Sequence, residues 1–192
     1  MTSSQTTIDP PSNLGPACLY PADPADRLYK LPWDAGIELT VGDGVFNRPC
    51  YTDHKGYELD WLAEEGFPVL AARAGVVHSI DKAVVRVRRA EAAPYEDVIT
   101  TDWYIHVRTD GLPVEVGQPV RQGQLLTWLS AAQPGWRQGP HLHFEVHVKG
   151  HQGVGHNGRT LQSVPAPFVE VTQRPDGVPF VGDVCVSQNL RC

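Results

Sequence analysis

The feature that most limits the fold is a series of short apolar runs separated by turn-forming residues. The runs are residues 37–41, 69–72, 75–80, 84–88, 103–107 and 125–129, together with His141–Val148. They are rich in β-branched and aromatic residues and are too short for most helices, which favours β-strands. One helix-like segment, at 61–65, is ended at once by Gly66 and Pro68. The sequence therefore predicts an all-β fold.

Two turn segments resemble each other. Residues 66–69 read Gly-Phe-Pro-Val and residues 117–120 read Gly-Gln-Pro-Val, and each segment precedes a glycine and an apolar strand. Two similar β-hairpins facing each other in an antiparallel β-sandwich or flattened barrel would produce such a pair, although coincidence explains it equally well.

The chain divides into an N-terminal arm and one domain. Residues 1–30 are rich in Pro, Ser, Thr and Asp, which indicates an irregular, extended arm. We assign residues 31–192 to a single domain, because a chain of 192 residues has the usual length for one. Within its Gly- and Pro-containing final part, residues 168–171 form one more predicted strand.

Charge and hydropathy argue against nucleic-acid binding and against a membrane span. The net charge is −6 and no run of Lys or Arg occurs, which argues against nucleic-acid binding. No apolar run has the length of a membrane span. The first residues have neither the basic nor the apolar region of a signal peptide, so we expect that a signal was removed or that export uses another route.

The four cysteines lie towards the ends of the chain, at Cys18, Cys50, Cys185 and Cys192. None belongs to a Cys-x-x-Cys zinc pair. An even number permits two disulfides with three pairings, which would place the protein outside the cytosol. The alternative is a set of free, buried thiols in a cytosolic protein.

Segment 139–146, Gly-Pro-His-Leu-His-Phe-Glu-Val, contains the most informative motif. Side chains two apart on a strand point the same way, so His141 and His143 share one face while Leu142 and Phe144 face a core. Two adjacent imidazoles are half of a zinc site. A His-x-His pair alone is nonetheless a packing or surface feature more often than a ligand set.

His54 and Asp60 are the best candidates for the other half. They flank a turn that contains Gly56, so both side chains can face one metal ion. Two neutral histidines and one carboxylate leave net positive charge on zinc, which acidifies a bound water.

These residues resemble the motifs of LytM/lysostaphin-type zinc metallopeptidases. Five segments occur in the family's order, at 54–60, 66–77, 104–107, 116–124 and 139–146. The resemblance covers about residues 31–168. It implies the family's LytM-like β fold, a barrel-sandwich hybrid, and a hydrolase that holds one zinc ion.

The resemblance also implies a role for each motif residue. His54, Asp60 and His143 would bind zinc, whereas His141 and His106 would be catalytic, orienting the nucleophile, stabilising the oxyanion or carrying a proton. The spacing departs from the commoner pattern, because Asp60 follows His54 by six residues instead of four.

Other residues receive weaker assignments. Tyr104 is expected on the same face as His106, where it either orients substrate or packs. Trp136 replaces part of a Gly- and Thr/Ser-rich turn and either lines the cleft or packs structurally. Glu145 is expected to be a structural partner of the histidines.

The resemblance implies a zinc endopeptidase that cuts peptide stems or cross-bridges of bacterial peptidoglycan, as a monomer, outside the cell or in its envelope. The alternative is a catalytically degenerate regulator or wall-binding module. A cupin-type metal site fits poorly, because Glu145 follows His143 by only two residues.

Overall fold

Thirteen β-strands make up the regular structure of the computed structural model, which describes residues 29–44, 58–90, 99–132, 139–149, 153–154, 160–161, 163–164, 166, 168–171, 179 and 183–188. The strands are β1 Glu38–Gly44, β2 Glu58–Leu62, β3 Pro68–Leu70, β4 Gly75–Asp81, β5 Val84–Ala90, β6 Ile99–Ile105, β7 Pro119–Val120, β8 Leu125–Trp128, β9 His141–Val148, β10 Gly153–Val154, β11 Thr160–Leu161, β12 Ser163–Val164 and β13 Val184–Val186. These ranges contain no helix, so the prediction of an all-β fold is confirmed.

One large antiparallel sheet organises the molecule. Eight of its nine strands follow the order β13-β1-β2-β9-β6-β5-β4-β7, and β12 pairs with β9. Two small sheets, β3-β8 and β10-β11, complete the arrangement. Among the described strands, β13 and β7 end the large sheet without pairing to each other, so the described sheet is not closed into a barrel.

The two faces of the large sheet differ in chemistry. Along β9, Leu142, Phe144 and Val146 are at most 1% exposed and belong to the hydrophobic core, whereas His143 and Glu145 alternate with them on the other face. The alternation predicted for the His-x-His strand is therefore confirmed. One face builds the core and the other carries the polar site.

The core begins before residue 31. Tyr29, which lies in the predicted arm, is 4% exposed and forms a parallel bridge to Phe168. Its hydroxyl donates to Asp102 Oδ1 at 3.0 Å. Residues 1–28 of the arm lie outside the described part of the chain. The strand predicted at 168–171 is wrong, because Phe168 makes only this isolated bridge and a turn follows it.

The two similar segments form the same type of turn. Gly66 and Gly117 have φ values of +78° and +89°, at the third position of turns 64–67 and 115–118. A type II turn needs a positive φ at this position, which glycine adopts without steric cost. Strand β3, which follows the first turn, pairs with β8, and β7, which follows the second turn, pairs with β4. Neither segment therefore forms a hairpin of its own.

Cys185 on β13 is a free thiol and is 2% exposed. Two disulfides would need all four cysteines, so that prediction is wrong. Cys18, Cys50 and Cys192 lie outside the described residues. Within the described ranges there is also no helix of a length and apolarity that would allow it to span a membrane.

Candidate metal centre

Asp60 and His143 meet near the middle of the large sheet because β2 and β9 pair in antiparallel register. The register places Asp60 directly opposite His143, on the face away from the core. Asp60 Oδ1 lies 2.9 Å from His143 Nδ1, and Asp60 is only 2% exposed. The structure thus brings together two of the three predicted ligands. The third, His54, lies outside the described residues.

The other ring nitrogen of His143 faces a second carboxylate. His143 Nε2 lies 2.7 Å from Glu145 Oε1. Burial lowers the pKa of His143, but its hydrogen bonds to Asp60 and Glu145 outweigh this effect and raise the pKa to about 10. Burial raises the pKa of Glu145, yet hydrogen bonds from His143 and His147 bring that pKa down to about 2. The surroundings of His143 therefore stabilise positive charge.

Glu58 is a site residue that the sequence analysis did not identify. It lies opposite Glu145 in the β2–β9 register and is 6% exposed. Single ligand atoms of Glu58, His143 and Glu145 all lie within 4.8 Å of one another, so these residues form a second candidate donor set. The alternation of Glu58 with Asp60 was the available signal, but the pairing of their strand with β9 could not be read from the sequence.

His141 presents one defined nitrogen to the site. Its Nδ1 lies 2.9 Å from the carbonyl oxygen of Gly139, and a carbonyl can only accept, so Nδ1 carries a proton. In the neutral ring, Nε2 then keeps its lone pair. This nitrogen lies 3.8 Å from Asp60 Oδ2, beyond hydrogen-bond distance but on the same side of the site.

His106 reaches the site through an unusual backbone conformation. It follows the last residue of β6 and has a φ of +66°, in the left-handed region. Its ring centroid lies 4.6 Å from that of His141 and 5.8 Å from that of His143. The structure therefore brings both predicted catalytic histidines next to the Asp60–His143 pair.

Tyr104 does not share the face of these histidines. It is fully buried, and its hydroxyl accepts the N–H of Ala72 at 2.8 Å. Strict alternation along β6 would place His106 on this core side as well, and the positive φ of His106 breaks the alternation. Tyr104 thus packs in the core and does not line the site. Trp136 lies outside the described residues.

The donors at this position fit a zinc ion. Zinc in proteins binds imidazole nitrogen and carboxylate oxygen, and Asp60 and His143 supply one of each from rigid, paired strands. The carboxylate of Asp60 is only 2% exposed, and a buried negative charge beside an imidazole attracts a cation. Carboxylate and imidazole groups thus converge where the sequence predicts the metal.

Several solved structures resemble the chain. Lysostaphin from Staphylococcus simulans is 23% identical over 68% of this chain and 48% of its own, with a TM-score of 0.40. LytU is 26% identical over 74% and 88%, with a TM-score of 0.43. Pseudoalterin, an M23 metalloprotease from the deep sea, is 18% identical over 86% and 98%, with a TM-score of 0.48.

The matches also differ in how much of each relative they cover. The chain spans about half of lysostaphin and 40% of a zinc-containing peptidase from Vibrio cholerae. A comparison with curated protein sequences gives no significant match. The model of peptidase family M23, in contrast, matches residues 52–155, which is more than half of the chain and contains every histidine and carboxylate of the site. The chain therefore belongs to peptidase family M23.

Proposed function

We propose that the chain is a zinc-dependent endopeptidase that hydrolyses peptide bonds in the stems or cross-bridges of bacterial peptidoglycan. The observation that carries this proposal is the position of His141 and His106 beside the buried Asp60–His143 pair. Membership of peptidase family M23 supports it.

Three residues would hold the metal in this proposal. Asp60 and His143 supply the described donors, and His54 is the third ligand by resemblance to the LytM/lysostaphin motif. Zinc bound there supplies a water with a pKa lowered to about 7 and a positive charge near the scissile carbonyl.

In this proposal His141 moves protons. With Nδ1–H donating to the carbonyl of Gly139, its Nε2 can accept a proton from the attacking water and return it to the leaving amine. Such a positioned acid–base group contributes about 10²- to 10⁴-fold in rate.

In the same proposal His106 stabilises developing charge. Its ring packs edge-on against His141 at an interplanar angle of 72°, which holds both rings at the site. A ring N–H of His106 can donate to the oxyanion that forms from the peptide carbonyl, an interaction that strengthens in the transition state.

The alternative is a catalytically degenerate regulator or wall-binding module. Such a protein would have lost a ligand or a catalytic residue. Asp60, His143, His141 and His106 are all present and adjacent, which supports the enzyme instead. Since peptidoglycan is the proposed substrate, we also propose that the protein acts outside the cell or in its envelope.

Digestion of purified cell walls tests the proposal. The zinc-loaded protein is incubated with walls of several cross-link types, and new amino termini are identified by mass spectrometry. We expect new termini that disappear when a chelator removes the metal and return when zinc is restored. Wall binding without new termini, by protein that holds one zinc ion, would support the regulator and overturn the endopeptidase.

A further inference from the structure

Both carboxylate oxygens of Glu145 contact histidines. Its Oε1 lies 2.7 Å from Nε2 of His143, and its Oε2 contacts Nε2 of His147. A carboxylate held at both oxygens by different side chains cannot rotate without breaking one of these bonds. Glu145 is therefore fixed relative to His143.

The contact at Nε2 decides which nitrogen of His143 faces Asp60. Both ring nitrogens of His143 face carboxylates, which can only accept, so each nitrogen can carry a proton. A metal ion that binds Nδ1 would take the place of the proton there, and the Glu145 bond would keep the remaining proton on Nε2. Nδ1 lies 2.9 Å from Asp60 Oδ1, so a metal ion that replaces its proton would have both atoms available as donors. Without Glu145, the ring could turn or adopt the other tautomer.

His147 is itself held by a stack of side chains that extends across the sheet. Its ring lies parallel to that of Trp103, with centroids 4.5 Å apart and an interplanar angle of 17°. The guanidinium of Arg86 lies 4.0 Å from the centroid of the same indole. Arg86 in turn donates to Asp81 at 2.8 Å and to Ser79 at 2.9 Å.

These contacts run from the metal centre across β9, β6 and β5 to β4. Because β6 lies between β9 and β5, His147 and Arg86 approach Trp103 from the strands on its two sides. The stack of His147, Trp103 and Arg86 is hereafter the brace. It links the orientation of Glu145 to the rigid centre of the sheet.

We propose that Glu145 is a positioning residue that holds His143 with Nδ1 towards Asp60, and that the brace holds Glu145. This inference rests on the proposed metal site of Asp60 and His143. It assigns Glu145 to the support of a ligand and not to the donor set of Glu58, His143 and Glu145.

Metal binding without substrate tests the inference. Zn²⁺ affinity is measured by competition with a chromophoric chelator, and the absorption of bound Co²⁺ reports the ligand set. We expect Glu145→Ala to lower affinity about 10- to 100-fold, the usual effect of losing such a partner, with the Co²⁺ bands in place. Glu145→Gln keeps an oxygen that accepts the Nε2–H bond and should recover most of the affinity.

A separate variant tests the role of the brace. His147→Phe keeps an aromatic ring against Trp103 but removes the bond to Glu145, so we expect a smaller loss of affinity in the same direction. Nitrogen chemical shifts of the His143 ring should show Nε2 protonated in the metal-bound protein. The exposed Glu65→Ala is the control, and thermal unfolding checks that every variant is folded.

Three results would overturn the inference. Unchanged affinity in Glu145→Ala removes the positioning role. Shifted Co²⁺ bands in that variant make Glu145 a ligand. A wild-type protein that binds no metal overturns both the inference and the zinc proposal, whereas normal metal binding without wall cleavage overturns only the endopeptidase.

Discussion

Asp60 Oδ1 lies 2.9 Å from His143 Nδ1, whereas Asp60 Oδ2 lies 3.8 Å from Nε2 of His141. One carboxylate thus contacts one histidine of the His-x-His pair directly and leaves a gap to the other. The residue type alone does not distinguish the two histidines. Their different relation to Asp60 supports different roles, with His143 as a ligand and His141 as an acid–base group.

This difference predicts separable mutants. His143→Ala should lose bound metal and wall cleavage together, because it removes a ligand atom. His141→Ala should keep metal but lower kcat/KM by at least about 100-fold, because it removes a proton carrier. Metal content by elemental analysis and cleavage rates on the same preparations provide the measurement.

The control is His78→Ala, at an exposed position on β4, which should change neither property. Equal loss of metal in the His141 and His143 variants would show that both are ligands and would contradict the division of roles.

The left-handed backbone conformation of His106 leads to a second prediction. An L-residue at φ +66° costs roughly 1–2 kcal/mol, and glycine avoids this cost. His106→Gly and His106→Ala should both lose most activity, since each removes the ring. The Gly variant should nevertheless have the higher free energy of unfolding, by about 1 kcal/mol, in denaturant titrations.

The comparison of the two His106 variants serves as its own control, because both remove the same side-chain contacts. Glycine in an ordinary strand conformation is less stable than alanine by roughly 0.5–1 kcal/mol. An Ala variant that is the more stable of the two would therefore rule out the left-handed conformation.

Local patterns account for much of the fold and site. Alternation along His141–Val148 was readable because a strand has a period of two, and it separates His143 from Leu142 and Phe144 correctly. The spacing of glycines and prolines likewise predicts many turns, including those at Gly66 and Gly117.

The features that the sequence did not predict depend on strand pairing between distant residues and on one unusual backbone angle. Glu58 joins the site only because β2 pairs with β9 in one register, and the sequence does not encode that pairing visibly. Tyr104 was expected beside His106 because alternation was extended one residue past the end of β6. A single positive φ places the two side chains on different sides.

Two glycines in strands should respond differently to alanine. A Cβ at Gly75 would lie 2.7 Å from the carbonyl oxygen of Arg88, and backbone cannot move aside easily. We expect Gly75→Ala to lower the free energy of unfolding by about 1–3 kcal/mol, as overpacking does. Denaturant titration gives this value.

Gly42 provides the matched comparison. Its added Cβ would also meet atoms at 2.7 Å, Cγ and Cδ2 of Leu62, but this side chain is 40% exposed and can move away into solvent by rotating about its Cα–Cβ bond. Gly42→Ala should therefore stay within about 1 kcal/mol of the wild type. Equal destabilisation by both substitutions would show that the contact distance alone decides the cost.

Cys185 should be unreactive in the folded protein. Burial, with a smaller contribution from Asp183, raises its pKa to about 11. At pH 8 roughly one such thiol in a thousand is ionised, and the thiolate is the form that reacts. Iodoacetamide should modify the Cys185 peptide slowly, as followed by mass spectrometry.

The sign of the pH effect follows from the same shift. The unfolded thiol ionises near its ordinary pKa and the folded thiol only near 11, so this contribution to stability is present below pH 9 and is lost as the pH rises through 11. Protein unfolded in urea is the control for reactivity. Native and unfolded protein reacting at the same rate would contradict the buried position of Cys185.

Strand β9 lies between β2 and β6, so both of its edges are paired. An insertion or deletion of one residue inside it would turn Phe144 towards solvent and His143 into the core at the same time. The alternation along β9 therefore fixes the orientation of the core residues and of the site residues together. Adjustment of this site is confined to substitutions within β9 and to length changes outside it.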